Sequence, residues 1–231
     1  MERMVFVKIT FLGHAAFLLE ADNLKGLIDP FIDGNPAHKI KSKDLTGITH
    51  IFVTHGHSDH LGDTVSIAKR NGSVVVCNHE IGYYLRTQGV NVSTMHIGGK
   101  KKMEFGTVKM TNALHGSGID TDDGLLYGGN PGGFVIEAGG KKVYHAGDTG
   151  LTLDMKLLEC ENIDVALLPV GGNFTMDVED AVKAVDFIKP KIVVPMHYNT
   201  FSGIKADTDY FKKAVKGAEV RILNYMDFIE V

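Results

Sequence analysis

The chain has 231 residues, 44% of them hydrophobic, and a formal net charge of −4. That length suits one sandwich with a sizeable core and is short for two catalytic domains, so 1–231 reads as a single domain. The acidic balance argues against a general nucleic-acid binder, and no apolar run approaches the roughly 18 residues of a membrane-spanning helix. Met1-Glu2-Arg3 runs directly into an alternating strand without the apolar core of a signal peptide, which implies a cytoplasmic protein. Cys77 and Cys160 are too few for a disulfide framework and read as buried small apolar residues.

Strands are expected over 5–11, 16–21 and 26–29, punctuated by Gly13 and Asp22-Asn23, which makes a meander. The apolar run 50–54 leads into His55-Gly56-His57-Ser58-Asp59-His60. Asp63 is a plausible N-cap for a helix over 64–70 closed by Asn71-Gly72, followed by a buried strand over 74–77 and a helix over 80–88. His79 reads as part of that helix start. Short strands fill 90–111, with Lys100-Lys101-Lys102 as a solvated hairpin turn. The Gly- and Asp-rich stretch 115–133 is too long for a mere connector and reads as a functional loop. Strands over 133–138 and 141–144 join through the hairpin signal Gly139-Gly140. A helix over 152–160, a strand over 165–170, a helix over 177–188 capped by Asp177, a strand over 191–194, a helix over 209–216 and terminal strands in 221–231 complete the chain. Both halves run from strands through a loop rich in potential ligands to an αβ stretch. This α/β plan suits two mixed sheets packed face to face with helices outside, a four-layer αββα sandwich.

Three imidazoles and a carboxylate within 55–60 sit where a buried strand opens into a loop. Such groups are costly to bury unpaired, and a metal ion is the natural reason for their clustering. His55 and His57, two apart on an extended segment, project to one side and can reach one ion at about 2.0–2.1 Å. Leu114-His115-Gly116, Gly147-Asp148-Thr149-Gly150 and Pro195-Met196-His197-Tyr198 each follow a strand-like run, so all can converge on one sheet edge. His38, His50 and His96 carry no functional argument, and His145 reads as a packed histidine.

This ordered set resembles the metallo-β-lactamase superfamily. The phrases Gly13-His14-Ala15, Ile28-Asp29-Pro30 and Pro195-Met196-His197-Tyr198 resemble a branch of small cytosolic metal-dependent hydrolases of unassigned substrate, more distantly similar to ascorbate-6-phosphate lactonases and N-acylphosphatidylethanolamine phospholipases. The resemblance implies two divalent ions: His55, His57 and His115 hold one, Asp59, His60 and His197 the other, and Asp148 bridges them. Zinc is favoured because position 57 is His where di-iron members carry Glu, with manganese or iron also suited to nitrogen and carboxylate ligands. The chemistry so implied is hydrolysis of a small ester, phosphodiester or lactone by a metal-bridging hydroxide, with Asp59 in the catalytic set. Phosphodiesters and phosphorylated lactones stand slightly ahead as substrates. A ribonuclease or other nucleic-acid phosphodiesterase, and a silent metal-binding regulatory protein, are the alternatives; a homo-oligomer is compatible with either.

Around these residues, Asp29 reads as an acceptor for a ligand histidine's second nitrogen or as a turn residue. His14, at a strand end, is a proton donor or substrate contact, or else structural. Asn130, Asn173 and Thr175 are substrate-facing candidates, although Asn173 and Thr175 can equally serve as helix caps.

Overall fold

In the computed structural model, residues 6–36 and 39–231 are described. Residues 1–5, where the first strand is expected to begin, and His38 lie outside them. Two seven-stranded sheets carry the fold. In the first, β1 (Lys8–Phe11), β2 (Phe17–Ala21) and β3 (Leu24–Ile28) form an antiparallel meander, and β3, β4 (His50–Phe52), β5 (Val74–Asn78) and β6 (Val92–Met95) run parallel.

The second sheet repeats that plan. Strands β7 (Lys100–Met103), β8 (Gly106–Asn112), β11 (Gly132–Ala138) and β12 (Lys141–His145) are antiparallel. From β12, the strands β13 (Val165–Pro169), β14 (Ile192–Met196) and β15 (Glu219–Val220) continue in parallel. Strand β16 (Phe228–Glu230) returns to pair with β1. Parallel pairing demands crossovers, and these supply the outer helices.

One apolar layer lies between the sheets, where Ile9, Phe17, Phe52 and Val76 meet Phe134, Ile136, Val165 and Val194. Outside the first sheet, α2 (Thr64–Asn71) and α3 (His79–Thr87) bury Ile67, Ile81 and Leu85 against Ile51, Val75 and Cys77. Outside the second, a 3₁₀ helix (Leu153–Glu161), α4 (Val178–Ile188) and α5 (Thr208–Ala214) bury Met155, Val185 and Phe211 against Tyr144, Ala166 and Leu168. The result is the four-layer αββα sandwich. Among the described residues, no helix is long and apolar enough to cross a membrane.

Several local expectations are corrected. Lys100, Lys101 and Lys102 form an edge strand rather than a turn, and exposed lysines there discourage a further strand from pairing. Asp63 occupies the N-cap of α2, but its carboxylate accepts from the N–H groups of Ile32 and Asp33, at 3.0 and 2.8 Å, and makes no cap bond. The stretch 115–133 contains a two-stranded hairpin, β9 (Gly118–Thr121) and β10 (Gly124–Tyr127), paired with neither large sheet. Cys160 is exposed at the end of the 3₁₀ helix, because that helix buries only one narrow face. The last helix starts one residue early, capped by Asp207, and ends at Ala214.

Candidate metal centre

The parallel strands β3, β4, β12, β13 and β14 point their C-terminal ends toward one edge of the sandwich, and the candidate ligands follow these ends. His55, His57 and the short helix α1 (Ser58–Leu61) come after β4, Asp148 after β12 and His197 after β14. Such edges are where open α/β sheets place their sites. Three non-glycine residues here hold left-handed backbone: His14 (φ 57°), Asp29 (φ 44°) and His197 (φ 56°). Each costs of order 1–3 kcal/mol and persists where surrounding structure compels it. Gly147, with φ 64°, is needed because a Cβ would lie 2.7 Å from the carbonyl oxygen of Gly132.

Two clusters of donor atoms result. His55, His57 and His115 form one, and His14, Asp59, His60 and His197 the other, with the donor atoms of each within 4.8 Å of one another. Asp148 stands between them. Its Oδ2 is 3.6 Å from His115 Nε2 and 2.9 Å from His197 Nε2, and its Oδ1 is 3.3 Å from His60 Nε2. Despite these distances, His60 Nε2, both His197 nitrogens and Asp148 Oδ1 are buried without hydrogen-bond geometry to any partner. Buried polar atoms are normally satisfied, so converging lone pairs left unpaired fit a cation between them.

The electrostatics agree. Burial alone would push Asp148 up, but His60 and His197 hold it well below the usual carboxylate range. Burial alone would push His60 and His197 down, but the carboxylates of Asp148 and, for His60, Asp29 raise both, His197 to about 9. Asp59 is likewise held low against its burial by His14 and His197. The carboxylates thus favour positive charge at this spot. His55 is pushed well down by its burial, which outweighs the opposing pull of Asp148.

Asp29 is fully buried beneath both clusters. Its Oδ2 accepts from His60 Nδ1 at 2.8 Å and from the Thr54 hydroxyl at 2.6 Å, while Oδ1 accepts from the Thr54 N–H at 2.8 Å. The Thr54 hydroxyl lies 2.9 Å from His55 Nδ1 and accepts from it. One carboxylate therefore orients a histidine in each cluster and turns its Nε2 toward the ion positions, where His60 Nε2 is unpartnered and His55 Nε2 lies 3.1 Å from His57 Nδ1. Asp29, His55 and His60 also lie close enough to hold an ion themselves, but Asp29 already accepts three hydrogen bonds, one of them from the His60 ring. Thr54 was not singled out in the sequence; its signal is a hydroxyl residue between an apolar strand and His55.

His14 does not face the open cleft, as expected of a proton donor or substrate contact. Its side chain is fully buried, with Nε2 3.0 Å from Asp59 Oδ2 and Nδ1 2.9 Å from the Thr200 hydroxyl, and burial pushes its pKa down to about 4. No sequence signal marked Thr200. His145 is bonded away from the centre, with Nε2 donating to Ala15 O and Nδ1 accepting from Gly147 N–H. Asn173 is exposed and Thr175 half-buried, and neither caps α4, whose cap is Asp177 accepting from Asp180 N–H. Asn130 is exposed, and its carbonyl accepts from Asn78 Nδ2 at 3.0 Å. The hairpin is braced against the His-rich loop through Ser117, whose hydroxyl accepts from Gly56 N–H and donates to Gly128 O.

This fold, with histidines and carboxylates gathered at one sheet edge, is that of the metallo-β-lactamase superfamily, and residues 26–198 match the Beta-lactamase superfamily domain. Within that superfamily the chain belongs to the UPF0173 metal-dependent hydrolases. It is 62% identical over 218 residues to such a protein from Alkaliphilus metalliredigens, covering 94% of this chain and 97% of that one. Identity to the corresponding Carboxydothermus hydrogenoformans protein is 51% over 221 residues, 94% and 97% of the two chains. Among solved structures, Igni18, a metallo hydrolase from the hyperthermophilic archaeon Ignicoccus hospitalis, superposes with a TM-score of 0.88 at 37% identity over 98% of both chains.

Proposed function

We propose that the protein hydrolyses a small ester, phosphodiester or lactone with two divalent ions, zinc in the first instance. His55, His57 and His115 would hold one ion, Asp59, His60 and His197 the other, and Asp148 would bridge them. The observation that carries this reading is the Asp148 carboxylate, which lies within 3.6 Å of histidines from both clusters. Bound there, the ions would supply a water acidified enough to attack as a bridging hydroxide near neutral pH, and positive charge for the developing oxyanion.

The chain's own residues have separable tasks. Asp29 and Thr54 fix which nitrogen His55 and His60 present, His14 and Thr200 hold the Asp59 carboxylate, and the buried walls keep water from competing for the histidines. The reading is tested by metal analysis of the pure protein and then by turnover of carboxylic ester, phosphodiester and lactone substrates after loading with zinc or manganese. Two ions per chain with turnover of at least one class support it. Two ions with no turnover of any class would favour a silent metal-binding protein instead.

A further inference from the structure

Lysine and arginine are missing from every segment that builds the candidate centre and its mouth. The chain has 24 of them, yet none lies within 26–36, 51–68, 110–140, 143–155, 165–182 or 192–204. Those segments hold Asp29, all seven proposed ligands, the hairpin, and the loops beyond β13 and β14. The charged groups they do expose are acids, among them Asp120, Asp122, Asp123 and Asp177, and Asp33, which is bound to Ser42 and shares a depression with Lys41, Lys43 and Arg70. Lys205, the first cation beyond the last segment, lines a shallow depression together with Asp177 and Asp207.

Between the acids the mouth is apolar. On one side Leu114, next to His115, is 63% exposed, and the hairpin packed on the His-rich loop through Gly118 and Ile119 exposes Leu125 (72%) and, over a depression it shares with Asn78 and Glu80, Tyr127 (75%). This side is tied to the centre: Leu114 N–H donates to the Thr149 hydroxyl at 2.9 Å, and Gly150 N–H donates to Leu114 O at 3.1 Å. On the other side, the rings of Phe31 and Phe201 lie 6.3 Å apart and meet His14 edge-on at 5.8 and 5.5 Å. Phe174, beside Asn173, is 61% exposed. Large apolar side chains grouped at the rim of a cleft mark a binding surface.

Metal ions attract any anion, so the rim must discriminate between substrates. Arg and Lys are the strongest partners for a phosphate held away from the metals, and around these segments they stand only at the periphery, already facing Asp33 or Asp177, while the hairpin presents carboxylates. Resting on the hydrolase reading above, we infer that the substrate is an uncharged ester or lactone with apolar groups on both sides of the scissile bond, not a phosphorylated or polyanionic one. In its hydrolysis the water oxygen joins the acyl carbon, the acyl C–O bond breaks, and the leaving oxygen takes a proton, so ester and water become acid and alcohol. This reverses the order in which the sequence alone ranked phosphorylated and simple esters.

The test uses zinc-loaded protein with p-nitrophenyl acetate, butyrate and octanoate, bis(p-nitrophenyl) phosphate, and a lactone with and without a phosphate substituent. A fully buried methylene is worth about fourfold in binding, so kcat/KM should rise at least tenfold from acetate to octanoate. The octanoate should also exceed the phosphodiester by at least tenfold, and the plain lactone its phosphorylated form. Leu125→Ser with Tyr127→Ser, both exposed, should flatten the chain-length dependence with the melting temperature unchanged. A flat series in the wild type, or preference for either phosphate-bearing substrate, would overturn the inference while leaving the hydrolase reading intact. Absence of turnover for every substrate at two zinc per chain would bring down that reading, and this inference with it.

Discussion

Asp29→Asn isolates one buried carboxylate that orients a histidine in each half of the proposed dinuclear site. Asp29 has three protein donors on two oxygens: His60 Nδ1 and the Thr54 hydroxyl on Oδ2, the Thr54 N–H on Oδ1. An amide offers only one accepting atom. With NH₂ at Oδ2, His60 and Thr54 lose their acceptor; with NH₂ at Oδ1, the buried Thr54 N–H faces a donor, a cost of about 1–3 kcal/mol. Either way the negative charge that strengthens both imidazoles is gone, and each ion should bind about 10- to 100-fold more weakly. Thr54→Val provides the comparison, because it removes the link to His55 and leaves the 2.8 Å bond from His60 to Asp29. The ion held by His55, His57 and His115 should then be lost first. Zinc stoichiometry under chelator competition, with cobalt spectra to tell the three-histidine site from the carboxylate-bearing one, reads both variants. Two tightly held ions in Asp29→Asn, or first loss of the carboxylate-bearing site in Thr54→Val, would refute the reasoning.

Asp148→Ala should lose at least one ion, since the carboxylate within reach of both clusters would no longer offset two neighbouring cations; full occupancy and full activity would show that it does not bridge. His14→Ala should weaken the ion held with Asp59 and depress hydrolysis of nitrophenyl and alkyl esters equally, because both ring nitrogens are spent on Asp59 and Thr200. A deficit confined to alkyl esters at full metal content would instead restore His14 as the proton donor. Glu161 ties the 3₁₀ helix to the second sheet through Lys109 and Lys142, which together hold its carboxyl down at about 2. A depressed carboxylate stabilises the fold above its ordinary pKa of 4.5, and the contribution fades as pH falls from there toward 2. Glu161→Gln should therefore cost on the order of 1 kcal/mol at pH 7, limited by solvent screening, and the gap to the wild type in denaturant titrations should close on acidification.

Much of the architecture is written in local patterns. Alternation and turn chemistry place the meander, Gly139-Gly140 turns β11 into β12 with left-handed backbone at both glycines, and Asp177 caps α4 as a short polar side chain before an amphipathic run should. A run of charge such as Lys100–Lys102 looks alike in a turn and in an edge strand, and only the pairing with β8 separates them. The hairpin in 115–133 has no sequence signature for a related reason: its four-residue strands are too short to show a period, and β10 is exposed along its whole length.

The candidate centre divides along the same line. His55, His57, Asp59 and His60 announce themselves because ligands close in sequence must be close in space. Assembling them with His115, Asp148 and His197 depends on parallel strands ending at one sheet edge, a consequence of crossover connections that no short stretch encodes. Contacts across the fold arise only on folding: Thr54 comes between Asp29 and His55 when β3 and β4 pair in the first sheet, and Thr200 comes behind His14 when the two sheets pack. Sequence alone thus determined the element types and the metal chemistry, because both follow from the residues' own spacing and donor atoms. The tertiary structure alone decided which groups orient those donors, since that depends on side chains tens to nearly two hundred residues apart meeting in space.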